Sequence, residues 1–426
     1  MNQLDVAFHG LSDHDPIYMG TLAWHDKKSW FQFSREFLEH EINPSPFGLK
    51  FSLELQEASR SVFNGLHGLF HESLPDGWGL FLMHRTFEQN DISFETTTPV
   101  ERLSYIADRG MGALSYGPKH DLVSSPSIDQ ELKLDFLWEE ALHLVNGAIS
   151  DIGDCHVVNG APLAGTTPKL LVGFDGNHAV EGAAKLPSGY SHWIVKLPIH
   201  SNSQENQAGT IEFLFAKMAV EAGIHMSPVR LILGDHGTHY FMTRRFDRKG
   251  HGRRVHVQSA ASLLSLDCRT GSIDYLDLFK LSDVLTHNYT YKLFLFRQMI
   301  FNAIAGNQND HTRNFAFMLT DSKEWSCTPA YDITWSPNRS RGHASSINGR
   351  AKDISEVDIW EVAKRASVPK RDVQRVLQQV SEALTKWVPL AREHDIPEPM
   401  RTEISSFIER QLVAMQPSTI LVSSET

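Results

Sequence analysis

Cysteine is scarce in this chain: of 426 residues only Cys155, Cys268 and Cys327 are cysteine, far apart and without paired metal spacing. That usage supplies neither a disulfide framework nor a zinc site, and it suits a reducing compartment. Long apolar runs are missing as well: nothing approaches the roughly eighteen residues of a membrane span, and no charged segment at the N-terminus leads into an apolar core. A cytoplasmic location, with no membrane partner, is the expectation. Positive charge is in deficit, with 40 Lys and Arg against 51 Asp and Glu and a formal net charge of −11. The balance argues against whole-molecule binding to nucleic acid or a membrane surface while leaving room for a local basic face. The GxxxxGK[ST] phosphate loop is absent too. With 41% hydrophobic residues, the chain is long enough for two or three domains, each burying its own core.

What is present centres on Gly306-Asn307-Gln308-Asn309-Asp310-His311-Thr312-Arg313-Asn314-Phe315 and, after a short apolar run, Pro329-Ala330-Tyr331-Asp332-Ile333-Thr334. The spacing predicts two loop ends joined by a hairpin. In kinase-type phosphoryl transfer one loop supplies a base and, five positions on, an Asn for metal, while an Asp after a following strand supplies the second metal contact. Asn314 and Asp332 fit the metal roles, which puts Asn309 at the base. An amide cannot take up a proton at neutral pH as a carboxylate can. The plain alternative is a polar turn.

Along the chain, Leu4–Phe8, Met19–Trp24 and Trp30–Phe33 read as strands of a small sheet, and Pro75 with Gly77 marks entry to a helix running through Arg85. The stretch Arg109-Gly110-Met111-Gly112-Ala113-Leu114 is glycine-rich without full phosphate-loop spacing, so a hairpin or close backbone contact is expected. Polar residues 118–132 mark a boundary, dividing the chain into 1–125, 126–250 and 251–426. Ala164-Gly165-Thr166-Thr167-Pro168-Lys169 before an apolar run reads as a loop entering a strand, or as backbone for phosphates. Lys196 interrupts a second strand-like run, and a helix over roughly 206–222 carries Glu212 beside an apolar stripe. A Lys196–Glu212 ion pair or two solvated charges are the alternatives. Asp247, in Arg244-Arg245-Phe246-Asp247-Arg248, is either a ribose ligand or a surface partner of its arginines.

From 256 onward the pattern is mainly helical. Residues 291–305 predict a buried helix delivering the chain into the 306–314 loop, and 339–352 a basic loop that is either mobile or a docking segment. Val373, Val376, Leu377, Val380, Leu384 and Trp387 form one amphipathic stripe, and Ile404, Phe407, Ile408, Leu412 and Met415 another. Residues 362–373 have the look of a helix-turn-helix, with Lys364, Arg365, Lys370 and Arg371 as phosphate contacts, or of ordinary paired helices.

Taken in order, Ser73-Leu74-Pro75-Asp76-Gly77-Trp78-Gly79, the 109–114 and 164–169 stretches, Ile194-Val195-Lys196-Leu197-Pro198, Arg244–Arg248, the 306–314 loop and Pro329–Ile333 resemble the HipA family of bacterial toxin Ser/Thr kinases over most of the chain. The resemblance implies an α+β, two-lobed kinase fold of the phosphatidylinositol-kinase type, with a mixed α/β N-terminal lobe and a mainly helical C-terminal lobe. It implies ATP and Mg2+ as cofactors, and growth arrest through phosphorylation of a protein, an aminoacyl-tRNA synthetase among the family's targets. The implied partners are that protein substrate, a small DNA-binding antitoxin and, through it, DNA. Carried over by position, Gly165, Thr166, Thr167 and Lys169 cover the phosphates, while Lys196 binds them and is positioned by Glu212. Arg244, Phe246 and Asp247 line the nucleotide, and Asn314 and Asp332 hold magnesium. His311 fixes the register, so the family's catalytic Asp corresponds to Asn309, with the adjacent Asp310 as the rival base. Pro162 stands where one family member carries a regulatory Ser, placing any such switch at Thr166 or Thr167. A nucleotide-binding pseudokinase, or a DNA-associated co-repressor acting with an antitoxin, is the competing function.

Overall fold

The computed structural model describes residues 2–10, 16–122, 131–147, 165, 167–182, 185–198, 207–235, 237–250, 253–267 and 273–415. Two compact units interleave along the chain. The first comprises Met1–Thr210, Ser227–Gly271 and Phe315–Pro329; the second comprises Ile211–Met226, Ser272–Asn314 and Ala330–Thr426.

The first unit holds three antiparallel sheets. In the N-terminal sheet, β1 (Gln3–Phe8), β2 (Ile17–His25), β3 (Lys28–Phe33), β4 (Gln56–Glu57) and β5 (Leu114–Gly117) lie in the order β4-β3-β2-β1-β5. The alternation of Gln3-Leu4-Asp5-Val6-Ala7-Phe8 places Leu4, Val6 and Phe8 inside with Phe31, Phe33, Phe37 and Phe70, as the period of two requires of a half-buried strand. The second sheet, β6 (Lys169–Phe174), β7 (Ala179–Glu181), β8 (Ser191–Lys196), β9 (Val229–Leu233) and β10 (His239–Arg244), runs β7-β6-β8-β10-β9. Its Leu170, Val172, Trp193 and Val195 form one core with Leu82, Met83 and Phe87 of helix Gly77–Gln89 and Leu137, Ala141 and Leu144 of helix Leu134–Val145. Fully burying an aliphatic or aromatic side chain of this size stabilises by roughly 1.5–3 kcal/mol. The third sheet is β11 (Val257–Ser259), β12 (Ala316–Leu319) and β13 (Trp325–Cys327). Among the described strands every pairing is antiparallel, which distinguishes this α+β arrangement from a doubly wound one.

The second unit is built on helix Tyr289–Ala305, whose second half from Phe296 is buried almost without interruption. Helices Tyr275–Thr286, Lys370–Leu384 and Glu398–Ala414 pack against it. Its N-terminus is capped by the Asn288 side chain, and Gly306, with φ of +74°, ends it in the left-handed region. A side chain at Gly306 would collide with the Trp335 ring, so this turn needs glycine for both conformation and space. The stripe read through Trp387 crosses a break: the helix stops at Leu384, and buried Trp387 begins a new one, Trp387–Glu393. The stripe of helix Glu398–Ala414 buries Ile404 and Ile408, with Met415 just past its end.

Candidate functional site

The end of the central helix sets the first loop of the site. Beyond Gly306, the Asn307 side chain donates to Asn302 Oδ1 (3.0 Å) and accepts from Ser336 Oγ (2.8 Å), which fixes the loop before it reaches Asn309. Asn309 is exposed, and its N–H donates to the same Ser336 oxygen at 3.3 Å. His311 begins a turn closed by Asn314 N–H donating to its carbonyl (2.8 Å), which leads into the short 3-10 segment Thr312–Asn314.

Asn314 Nδ2 then donates twice, to the Asn309 carbonyl at 2.8 Å and to Asp332 Oδ2 at 3.3 Å. The two donations commit the amide nitrogen and leave Oδ1 as the atom with lone pairs for a cation. The second loop is held by Tyr331, whose hydroxyl donates to the Arg313 carbonyl (2.6 Å), and by Ala330 N–H donating to His225 O (2.8 Å). Asp332 has φ of +56°, a left-handed conformation that is uncommon for any residue but glycine and concentrates where local geometry is over-determined. Between the two loops runs the expected hairpin, β12 pairing with β13 in the register Phe317 to Cys327. The structure thus brings Asn309, Asn314 and Asp332 together from positions read in the sequence.

Asp310 is in a different environment. It is 1% exposed, and its Oδ2 accepts from Tyr275 Oη and His343 Nδ1, both at 2.8 Å. Its Oδ1 accepts from the N–H groups of Ala344 (2.8 Å) and Ser345 (3.3 Å). A carboxylate only accepts, so the proton of that imidazole contact lies on Nδ1 of His343. Tyr275 Oη also accepts from Asn302 Nδ2 at 2.9 Å, and burial followed by the Asp310 charge pushes its phenol well above the usual range. With all of its partners supplied internally, Asp310 ties the loop to residues 343–345. It does not face solvent beside Asn309.

In the first unit, Lys169 opens β6 and lies directly opposite Lys196, the last residue of β8. Lys196 Nζ sits 5.8 Å from the centre of the Phe241 ring. Two lysine positions thus lie opposite each other on adjacent strands. Gly165 is anchored on both sides, its N–H donating to the Asp76 carboxylate and its carbonyl accepting from Trp78 N–H at 2.8 Å. The 73–79 stretch therefore has a role that sequence reading left open. Thr167 is half-buried, and Pro162 and Thr166 lie outside the described residues. Glu212, in helix Ala208–Glu221 of the second unit, is 7% exposed.

At the connector Arg244 is exposed and Phe246 half-buried. Asp247 corrects both sequence readings. It has no exposed surface for a ribose, and its arginine pairing is a buried one. Arg245 donates Nε to Oδ1 (2.9 Å) and Nη2 to Oδ2 (2.8 Å); Arg248 Nη1 reaches Oδ2 at 2.6 Å, and Gly112 N–H at 2.9 Å. Burial alone would raise this carboxyl, but Arg245, Arg248 and the Gly112 N–H outweigh it and hold the group well below the usual carboxylate range. Further guanidinium hydrogens go to main-chain oxygens. Gly110 O accepts from Arg248 (2.8 Å) and, at 3.4 Å, from both Arg245 and Arg254; Gly112 O accepts from Arg254 Nε (2.8 Å). Gly112, with φ of +74° and Val257 N 3.2 Å from where a Cβ would stand, makes the close backbone contact expected of this stretch.

The paired helices around 362–373 are Glu356–Arg365 and Lys370–Leu384, and Ser367 between them has φ of +56°, where a turn glycine is often found. Lys364, Arg365, Lys370 and Arg371 are all exposed, while Val373, Val376 and Val380 are buried.

Comparison with known proteins places this geometry in a family. The chain belongs to the HipA family: the family model for the HipA-like C-terminal domain matches residues 161–388, and that for the HipA N-terminal domain matches residues 14–117. A curated relative, "Putative kinase Y4dM" of Sinorhizobium fredii (strain NBRC 101917 / NGR234), is 22% identical over 235 residues, covering 51% of this chain and 56% of the relative. The chain thus spans about half the length of the curated relative it matches. Among solved structures, a chain of the Shewanella oneidensis MR-1 toxin–antitoxin complex of HipA, HipB and operator DNA superposes with a TM-score of 0.68 at 17% identity, covering 97% of this chain and 96% of that one. At that identity the likeness establishes the fold, and it is the α+β, HipA-like fold that the ordered motifs imply.

Proposed function

We propose that this chain has the site of a Ser/Thr protein kinase, binds ATP with Mg2+, and as written transfers phosphate poorly because Asn309 stands at the base. The carrying observation is the grouping of exposed Asn309 with Asn314 and Asp332, while the neighbouring carboxylate, Asp310, is buried and fully engaged. Lys169 and Lys196 supply positive charge to the phosphates, with Gly165, Thr166 and Thr167 covering them, and Glu212 positions Lys196. Arg244 and Phe246 flank the nucleotide.

Asn314 Oδ1 and the Asp332 carboxylate would hold the metal. Among the described residues no cluster of three or more His, Cys, Asp or Glu forms a metal cage. One carboxylate and one amide oxygen, completed by phosphates and water, match the hard-oxygen preference of Mg2+. When bound, the ion offsets negative charge on the phosphates. The acceptor is a Ser or Thr of a protein, an aminoacyl-tRNA synthetase being one such target, and the consequence of phosphorylation is growth arrest in the cytoplasm. The partner is a small DNA-binding antitoxin, a pairing supported by the Shewanella complex, and DNA is reached through it. Among the described residues no helix is long and apolar enough to cross a membrane. A nucleotide-binding pseudokinase is the second reading, favoured by the amide at 309.

Titration calorimetry with ATP in the presence and absence of Mg2+, on this chain and on Asp332→Ala, tests the reading. Binding that depends on Mg2+ and weakens in the variant is expected. Absence of any ATP binding removes the nucleotide site, and equal affinity with and without Mg2+ removes Asp332 from the metal.

A further inference from the structure

In a chain of net charge −11, residues 338–352 contain Arg339, Arg341, Arg350 and Lys352 and no carboxylate. The segment is tightly built. Gly342 N–H donates to Asn338 O (2.7 Å), His343 N–H to Ala351 O (2.8 Å), and Asn338 Oδ1 accepts from Arg341 N–H (2.9 Å). Gly342 has φ of +77°, and a side chain there would strike the Ala351 carbonyl, so the two limbs lie as close as backbones can. Lys352 Nζ donates to the carbonyls of Arg339 (3.0 Å) and Ser340 (2.6 Å), carrying its charge to the tip where Arg339 and Arg341 are exposed. Among the described residues Arg339 meets one carboxylate, Glu403 at 2.7 Å, with its own side chain 85% exposed.

The tip is also fastened to the candidate active loop. Gln308 Oε1 accepts from Asn338 N–H (2.5 Å), its N–H donates to Ser336 O (3.3 Å), and its carbonyl accepts from Ala344 N–H (3.1 Å). Both limbs are thus held by the residue before Asn309, and Asp310 holds the next turn from beneath. Gathering Arg339, Arg341 and Lys352 on one fixed turn raises the local positive potential, which the single carboxylate of Glu403 offsets only in part.

We propose that the rim of Arg339, Arg341 and Lys352 is a preformed docking surface for an acidic segment of the protein whose Ser or Thr is offered to the Asn309 site. The proposal rests on the protein-kinase reading above. An acidic peptide is favoured over nucleic acid because the rim is compact, with three cations on one tip rather than a stripe along a groove. The substrate then carries Glu or Asp near the acceptor hydroxyl.

The test is fluorescence anisotropy of a labelled Ser-containing peptide with flanking Glu residues, against the same peptide with Gln, at low and moderate salt. With this chain the Glu peptide should bind about tenfold tighter, and the difference should disappear in the double variant Arg339→Gln/Arg341→Gln. Glu403→Gln, which releases Arg339, should tighten the Glu peptide further. Equal binding of the two peptides, or a preference unchanged in the double variant, overturns the proposal. So does an RNA oligonucleotide of equal charge that displaces the Glu peptide more effectively than the peptide competes with itself. Mg2+-dependent ATP binding is read in parallel and tests the nucleotide site alone, so the rim and the kinase reading fail separately.

Discussion

Asn314 Nδ2 donates to the main-chain carbonyl of Asn309 at 2.8 Å, so the proposed metal ligand is tied to the proposed base position through backbone and not through the 309 side chain. Exchanging that side chain leaves the tie in place. Asn309→Asp therefore changes proton acceptance without loosening Asn314, and it should raise phosphotransfer to a protein Ser or Thr by roughly 10²–10⁴-fold, the usual contribution of a positioned base. Radiolabelled phosphate transfer by this chain, Asn309→Asp and Asp310→Ala is the check. Strong activity of the present chain that vanishes in Asp310→Ala would make Asp310 the base.

Asp310→Ala should instead act on stability. It leaves Tyr275 Oη, His343 Nδ1 and the N–H groups of Ala344 and Ser345 without their shared acceptor inside the protein. Leaving a buried donor without its acceptor costs about 1–3 kcal/mol. Denaturant unfolding should show that loss, and hydrogen exchange should accelerate at 343–346. An unchanged midpoint would mean that the network is dispensable.

Asp247→Asn should be at least as harmful, because Arg245 and Arg248 lose their carboxylate where each side chain is only 4% exposed. The wild-type carboxyl is depressed, so its contribution is present above the unfolded-state pKa and disappears as pH falls through the lower folded value. The variant should lack that acid limb, as thermal melts across acidic pH would reveal.

Two buried histidines set a second pH dependence. Burial lowers both His67 and His256 from 6.5 to about 4, and His256 Nε2 donates to the Pro44 carbonyl 2.8 Å away, which puts the proton of the neutral ring on that nitrogen. The folded state keeps these rings neutral while the unfolded chain protonates them near pH 6.5. The contribution of these two rings should be complete above that pH, decline between about 6.5 and about 4, and level off below, where the Asp247 limb takes over. His67→Gln should flatten part of the decline; a slope identical to wild type would separate His67 from it.

Much of this was legible where the signal is local. Strand alternation gave β1 to β3, helical spacing gave the apolar stripe beside Glu212, where Ile211, Leu214, Phe215 and Met218 are buried, and the gap between Asn314 and Asp332 matched a hairpin. The family resemblance supplied an order in which weak motifs reinforced one another. What escaped depends on distant chain. Arg244-Arg245-Phe246-Asp247-Arg248 looks like surface because charges dominate it, and the carbonyls that bury three of its residues lie about 135 positions earlier. Asp310 reads as a spare carboxylate until His343 is placed 33 residues on. Nothing in the local pattern of Asp76 announces that it holds Gly165.

The oxygen of Gly110 receives guanidinium hydrogens from three arginines that follow it by 135 to 144 residues. The stretch matched as an N-terminal domain and the stretch matched as a C-terminal domain therefore share one electrostatic lock. A chimera that joined residues 1–120 of one relative to the remainder of another should therefore fold only where the arginines of the second still meet the backbone turn of the first.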